Sequence, residues 1–592
     1  MSQQQPDPSN SVNLTIDGQP VTVPKGTTIL EAARKAGIYI PVLCDHPDLA
    51  WRAICRLCVV ECDGASKLSA ACANYVWEGL KVVTNNARIR DTRKMILEMI
   101  LAEHPQECLT CIRSQNCELQ ELAVQFGVDK VSFPHEPKPS PVDVDTKTLV
   151  RDMSKCVKCG RCVEMCQETQ SVRALNTANR SVEYEITTAY YQPLIDGPCV
   201  YCGQCAAVCP VGAIYENDQT EEVWAALENS ERHVVVQTAP AVRVALGDEF
   251  GLPSGAITTG KMVTALKRLG FDKVFDTDFT ADLTIIEEGH ELLHRLQNGS
   301  KLPMVTSCSP GWINFCEVFY PDLVDHLSTC KSPQQMFGAL AKTYYPNVSG
   351  VEPAKITSVS IMPCTAKKFE AQRPEMAGSG FRDVDVVLTT RELARMIKMA
   401  GIDFEALPES QFDSLMGDST GAAVIFGTSG GVMEAALRTV YEVVTKETLA
   451  SVDFKDVRGH QGVKEAEVDL KGTKVKVVVA NGLANARKVM DSIRQGQCNA
   501  TFIEIMCCPG GCVGGGGQPY GSGRVKLQRM DGLYEADRSL PLRKSHENPE
   551  VKALYEKFLG QPLGEKSHHL LHTHYSTKGK NHWKGGGGGQ GH

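Results

Sequence analysis

Nowhere in the 592 residues is there a run of about 18 apolar residues, so no membrane-spanning helix is expected. Positive charge is not in excess either. A formal net charge of -8 and a pI near 6.1 exclude a surface built for nucleic acid. The first residues, MSQQQPDPSN, lack a basic and an apolar region of the secretory kind, so no export signal is expected and the chain reads as cytoplasmic. No GxGxxG stands in a strand–turn–helix setting, which assigns any dinucleotide chemistry to another chain. The length is too great for one core and predicts roughly three or four domains.

What the sequence does have is cysteine, 24 residues of it, mostly in CxxC clusters. In a large chain without an export signal, that pattern points to metal sites in a reducing compartment and away from disulfides. Sixteen of the 24 precede residue 210. One stretch near the other end, TFIEIMCCPGGCVGGGGQP, places Cys507, Cys508 and Cys512 between an apolar run and four glycines. On its own this stretch also fits a buried thiol cluster beside a flexible loop.

In the front third, VNLTIDGQPVTVP alternates apolar and polar residues around Asp17-Gly18 and predicts a hairpin. TTILEAARKAG predicts a helix capped by Thr27 or Thr28. Cys44, Cys55, Cys58 and Cys72 follow, and the set resembles a plant-type 2Fe–2S ferredoxin, with a longer first gap and zinc as the competing metal. Next, HPQECLTCIRSQNC holds His104, Cys108, Cys111 and Cys117 at HxxxCxxCxxxxxC spacing. This resembles the histidine-ligated 4Fe–4S site of iron–iron hydrogenases and of the large peripheral subunit of respiratory complex I. After a proline-rich linker, CVKCGRCVEMC and CVYCGQCAAVCP form a repeat 43 residues apart. In two-cluster ferredoxins the fourth cysteine of each unit serves the other cluster. That pairs Cys156, Cys159, Cys162 with Cys209, and Cys199, Cys202, Cys205 with Cys166.

Beyond residue 230, β-branched runs such as HVVVQTA, ITSVSIMP, DVDVVLTT and VKVVVANG alternate with helical patterns, which predicts an α/β domain with partly parallel sheets. Three loops there carry cysteine: VTSCSPGW (Cys308), IMPCTAKKFE (Cys364) and the Cys507–Cys512 stretch. With the accessory motifs, these loops resemble the signatures of iron–iron hydrogenases, over about residues 12–575. The resemblance implies an H-cluster: a 4Fe–4S cubane joined to a two-iron subsite bearing CO, CN⁻ and an azadithiolate. It assigns Cys364 and Cys508 to the cubane, Cys512 to the bridge, and Lys367 to a cyanide. It also places Met362 and Met506 against the two-iron subsite.

Two positions depart from the family. Where TSCCP is common, this chain has Ser309 after Cys308, and it has Cys507 where a small residue is common. Either Cys507 supplies the fourth cubane thiolate or Ser309 ligates through oxygen; Cys507 as a packed thiol is the plain alternative. Glu288, Glu291 and Arg295 share one helix face by spacing, which alone fits a solvated charged face. The resemblance assigns these residues, with Ser328 and Cys308, to a proton relay.

The chain therefore reads as multidomain α+β and α/β, with N-terminal ferredoxin-type iron–sulfur domains followed by a large α/β H-cluster domain. The expected division is a 2Fe–2S domain (1–88), a His/Cys3 4Fe–4S domain (89–130), a linker (131–145) and a two-cluster ferredoxin-like domain (146–225). A catalytic domain (230–535), a small-subunit-like segment (536–575) and a His/Gly-rich tail (576–592) complete it. The resemblance implies reversible H2 oxidation and proton reduction, one 2Fe–2S and three accessory 4Fe–4S clusters, and ferredoxin as partner. It further implies an NAD(P)-linked flavoprotein with small iron–sulfur subunits, as in multisubunit, in part electron-bifurcating, hydrogenases. An H2 sensor or a non-catalytic electron-transfer subunit is the alternative.

Overall fold

The Asp17-Gly18 turn has positive φ at both residues (49° and 80°), the geometry that joins two twisted strands through two residues. Strands Ser11–Ile16 and Gln19–Pro24 pair across it and bury Val12, Leu14, Ile16, Val21 and Val23. Thr28 and Glu31 form a reciprocal capping box at the start of helix Ile29–Lys35. Strands Lys81–Val83, Val59–Cys62 and Ser69–Ala70 extend this into a five-stranded sheet. The computed structural model describes residues 10–577, apart from 51, 135, 461, 471 and 472. Most of the His/Gly-rich tail therefore lies outside the described residues.

Helix Ala87–Glu103 ends at His104, and Cys117 caps helix Glu118–Gln125, so the two outer members of that motif sit at facing helix ends. In the next domain each CxxCxxC unit turns into a short helix, Arg161–Glu164 or Gln204–Ala207, through a left-handed glycine. Gly160 (φ 77°) and Gly203 (φ 69°) fill these positions. Strand Leu149–Asp152 pairs with Ile214–Glu216 on one side and with Val142–Asp143 on the other. The proline-rich segment expected as a linker thus contributes a sheet edge.

The rear domain contains two four-stranded sheets. One is wholly parallel, in the order Lys273–Asp276, His233–Thr238, Ile356–Met362, Val386–Thr389. The other runs Met304–Val305, Phe502–Met506, Thr473–Asn481, Val463–Leu470, with only the last pair antiparallel. Strands buried on both faces need unbroken apolar and β-branched runs, which is why His233–Thr238, Ile356–Met362, Val386–Thr389 and Phe502–Met506 do not alternate. Between the sheets lies helix Thr277–Asn298, most of whose residues are buried. No helix among the described residues is long and apolar enough to cross a membrane.

A buried ion cluster fastens the ferredoxin-like domain to the rear domain. Arg391 donates to Glu216 at 2.6 Å, and Arg395 reaches Glu216 at 2.9 Å and Asp218 at 3.1 Å. Burial alone would raise the Glu216 carboxyl, but the two guanidinium groups hold it well below the carboxylate range. Removing one partner of such a pair typically costs about 3–5 kcal/mol, because the other charge stays buried alone.

Candidate active site

All three cysteine loops leave the carboxyl ends of parallel strands. Cys308 follows Met304–Val305, Cys364 follows Ile356–Met362, and Cys507 follows Phe502–Met506. Ala239 and Pro240 follow a fourth strand, and Thr277 a fifth. These strand ends converge on one cavity of about 80 Å³. Carboxyl ends of α/β strands are where such folds build sites. Cys308, Ser309, Cys364, Cys507, Cys508 and Cys512 line the cavity with Met362, Met506, Phe426 and Lys367. Of the site residues expected from the sequence, every one assigned to this centre is therefore on its wall, apart from the more distant relay members.

The wall is apolar with few polar groups. Lys367 Nζ donates to Glu370 Oε2 (2.9 Å) and to the Cys308 carbonyl (3.1 Å), which leaves its third proton free for an anion in the cavity. Ser309 Oγ accepts from the Cys507 amide at 3.2 Å. The Cys507 thiol is hydrogen-bonded to both Cys202 and Cys508, and these bonds with burial push it well up. Gly311 is required beside it, since a Cβ there would stand 2.7 Å from Cys507 Sγ. Clustered thiols with one lysine make a donor set that fits a multi-iron sulfur centre.

The glycines after Cys512 lie against backbone that is remote in sequence. A Cβ on Gly516 would stand 2.4 Å from the Cys202 carbonyl, and one on Gly515 would stand 2.1 Å from the Pro363 carbonyl. They clear space for protein backbone from two other loops. Thr365 Oγ1 donates to the Tyr201 carbonyl (2.7 Å) and Gln204 Nε2 to the Gly514 carbonyl (2.8 Å). The Cys199–Cys205 loop is thereby sewn directly to the catalytic loops.

The accessory cysteines also gather as sets. Cys166, Cys199, Cys202 and Cys205 line one small cavity. Cys162 lies among Cys156, Cys159 and Cys209, and burial is the main cause of its strongly raised thiol. Further forward, Cys58 and Cys72 sulfurs are 3.4 Å apart, while Cys44 pairs with Cys55. Two thiol pairs suit the two irons of a 2Fe–2S cluster. Cys111 Sγ presses on Gly212, where a Cβ would stand 2.7 Å from sulfur, so the His104 motif abuts the two-cluster domain.

Glu288, Glu291, Ser328 and Arg295 are buried, so the solvated-face alternative fails. Ser328 Oγ donates to Glu291 Oε2 at 2.8 Å and also bonds Glu288; Arg295 Nη2 pairs with Glu291 at 2.6 Å. Burial, then the neighbouring Glu291 charge, raise the Glu288 carboxyl to about 8. Burial and the Glu288 charge push the Cys308 thiol well up, which keeps it an S–H. Sequence reasoning passed over Glu370 and Gln334, which fix Lys367 from below: Gln334 Nε2 donates to the Lys367 carbonyl (3.3 Å) and to Glu370 (3.1 Å). Glu370 was findable, three residues after Lys367 and so on the same face of helix Ala366–Glu370.

Known proteins agree with this arrangement. Residues 232–516 match the C-terminal domain of the iron-only hydrogenase large subunit, and residues 523–578 match the iron hydrogenase small subunit. Ahead of them, residues 9–87 match a 2Fe–2S cluster-binding domain. Residues 93–132 match the iron–sulfur binding region of NADH-ubiquinone oxidoreductase-G, and residues 155–213 a 4Fe–4S dicluster domain. NADP-reducing hydrogenase subunit HndD of Solidesulfovibrio fructosivorans is 50% identical over 95% of this chain and 98% of its own length. Iron hydrogenase 1 of Clostridium pasteurianum is 41% identical over 95% of this chain and 99% of its own. A solved variant of [FeFe]-hydrogenase HydA1 from Chlamydomonas reinhardtii superposes with a TM-score of 0.56 at 43% identity, over 61% of this chain and all of that one. Half of all residues shared along 98% of a hydrogenase subunit, with the cysteine loops gathered at one cavity, leave one family open: this chain is an iron–iron hydrogenase.

Proposed function

We propose that the chain is the hydrogen-activating subunit of a multisubunit hydrogenase. In this reading electrons pass between the buried centre and ferredoxin or an NAD(P)-linked flavoprotein, through one 2Fe–2S and three accessory 4Fe–4S clusters in a cytoplasmic complex. The observation that carries the electron route is the seam between the Cys199–Cys205 loop and the catalytic loops, where Cys507 touches Cys202 and Cys508 together. Likeness to HndD along nearly its whole length supports the partner assignment.

Cys364, Cys508, Cys512 and, as the fourth cubane ligand, Cys507 would hold the H-cluster, with Ser309 steadying the Cys507 amide. When bound, that group supplies the exchange of H2 with two protons and two electrons; the chain supplies ligands, a dry cavity and a proton path. Lys367 would face a cyanide. Along the path Cys308 carries the proton nearest the cavity, and Glu288, Ser328 and Glu291 pass it outward, with the Arg295 guanidinium holding the Glu291 carboxylate in place.

Three outcomes test this reading. The purified, matured chain alone should pass electrons from H2 to ferredoxin or a viologen and leave NADP⁺ untouched; NADP⁺ reduction without a second subunit contradicts it. Glu288→Gln should cut turnover roughly 10²- to 10⁴-fold. Because the raised Glu288 carboxyl holds its proton below pH of about 8 and loses it above, H2 evolution should decline through that pH and lose this limb in the variant. A wild-type limb in Glu288→Gln would remove Glu288 from the path. Electron paramagnetic resonance of Cys507→Ala should show an altered or missing cubane signal, with Ser309→Ala close to wild type. An unperturbed cubane in Cys507→Ala, with a perturbed one in Ser309→Ala, would transfer the ligand role to Ser309.

A further inference from the structure

Residues 571–573, in the C-terminal segment, run antiparallel to residues 329–331. Lys331 N–H donates to the Leu571 carbonyl and Thr573 N–H to the Thr329 carbonyl, each at 2.8 Å, with Cys330 opposite His572. This short ladder sets a buried imidazole against the segment that carries Ser328 and the Thr329 amide. His572 has a partner on each ring nitrogen: Glu287 Oε2 at 3.2 Å from Nε2, and Thr329 Oγ1 at 2.8 Å from Nδ1.

Glu287 fixes the tautomer. It also accepts from Tyr555 (2.5 Å), Ser567 and the Leu563 amide (2.9 Å). Burial alone would raise this carboxyl, but His572 and the other donors hold it below the usual range, so it is an anion that only accepts. Nε2 then carries the imidazole proton, and Nδ1 accepts from the Thr329 hydroxyl. Thr329 N–H in turn donates to both oxygens of Glu291, at 3.2 and 3.1 Å, beside the Ser328 hydroxyl. A nitrogen of His572, the Cys330 sulfur and a Glu291 oxygen all lie within 4.8 Å of one another.

We propose that His572, oriented by Glu287, is a positioning residue for the Glu291–Ser328 step, which makes the C-terminal segment a working part of the proton path. The inference rests on the relay assigned under the proposed function. Other titratable or charged groups around the imidazole are Arg295, paired to Glu291, and Cys330 and Tyr555, which burial keeps neutral. The exposed His568 stacks on the ring at 4.9 Å. Proton transfer depends steeply on the distance between heavy atoms, so a loosened 328–330 segment slows the step without touching the cavity.

The matured holoenzyme carrying His572→Ala or Thr329→Val tests this, the second variant keeping the shape of the side chain and removing only its hydroxyl. Both should lower turnover about 10- to 100-fold. Both should raise the solvent deuterium isotope effect and leave the electron donor KM and the CO and CN⁻ infrared bands as in wild type; Thr329→Ser should restore turnover. If His572→Ala does not fold, Thr329→Val decides alone. Glu291→Gln separates the two levels of argument. Should it leave turnover intact, the relay itself is wrong; should it abolish turnover while Thr329→Val keeps wild-type turnover and isotope effect, only the role of His572 is overturned.

Discussion

The close approach of backbone to backbone around the cavity is the constraint on which the rest depends. An electron must leave a centre set inside the protein, so the nearest accessory loop has to touch the loops that hold that centre. Gly203 and Gly516 make the contact: a Cβ on Gly203 would stand 2.4 Å from Thr365 Oγ1, and one on Gly516 would collide with the Cys202 carbonyl. Side chains at either place would push the ferredoxin-like domain outward. The ion cluster of Arg391, Arg395 and Glu216 joins the same two domains at this seam, where Arg391 also donates to the Gly516 carbonyl at 2.8 Å.

Burial also sets the chemistry of the proton path. In a low-dielectric interior a carboxylate beside a second carboxylate is costly, and Glu288 responds by holding its proton near neutrality. Arg295, Ser328 and the Thr329 amide all donate to Glu291. One helix, Thr277–Asn298, thus presents two carboxyl groups three residues apart in different surroundings. Part of the surroundings of Glu291, through the 329–331 segment, is delivered by the C-terminal segment.

Much of this was legible in the sequence, because thiolate ligands come in spaced sets and strand ends in α/β domains carry loops. The CxxCxxCxxxC repeat, the helix cap at Thr27 or Thr28 and the apolar runs before Cys364 and Cys508 are local patterns, readable without the fold. The meaning of the glycines was not, since their neighbours Cys202 and Pro363 are remote in sequence. Nor was the Glu287–His572 pair, which spans 285 residues and joins a helix to a segment whose histidines look like tail composition. Cys507 stands between these cases. Its presence was conspicuous, while its contact with Cys202 depends on how two domains meet.

Infrared spectroscopy of the matured protein, in the region where metal-bound CO and CN⁻ absorb, tests the central claim most directly when recorded before and after H2 is added. The account predicts sharp bands in both ligand regions that shift under H2. Their absence after maturation has been verified on a control hydrogenase would contradict it, and would leave a chain that gathers cysteines at one cavity only to carry electrons.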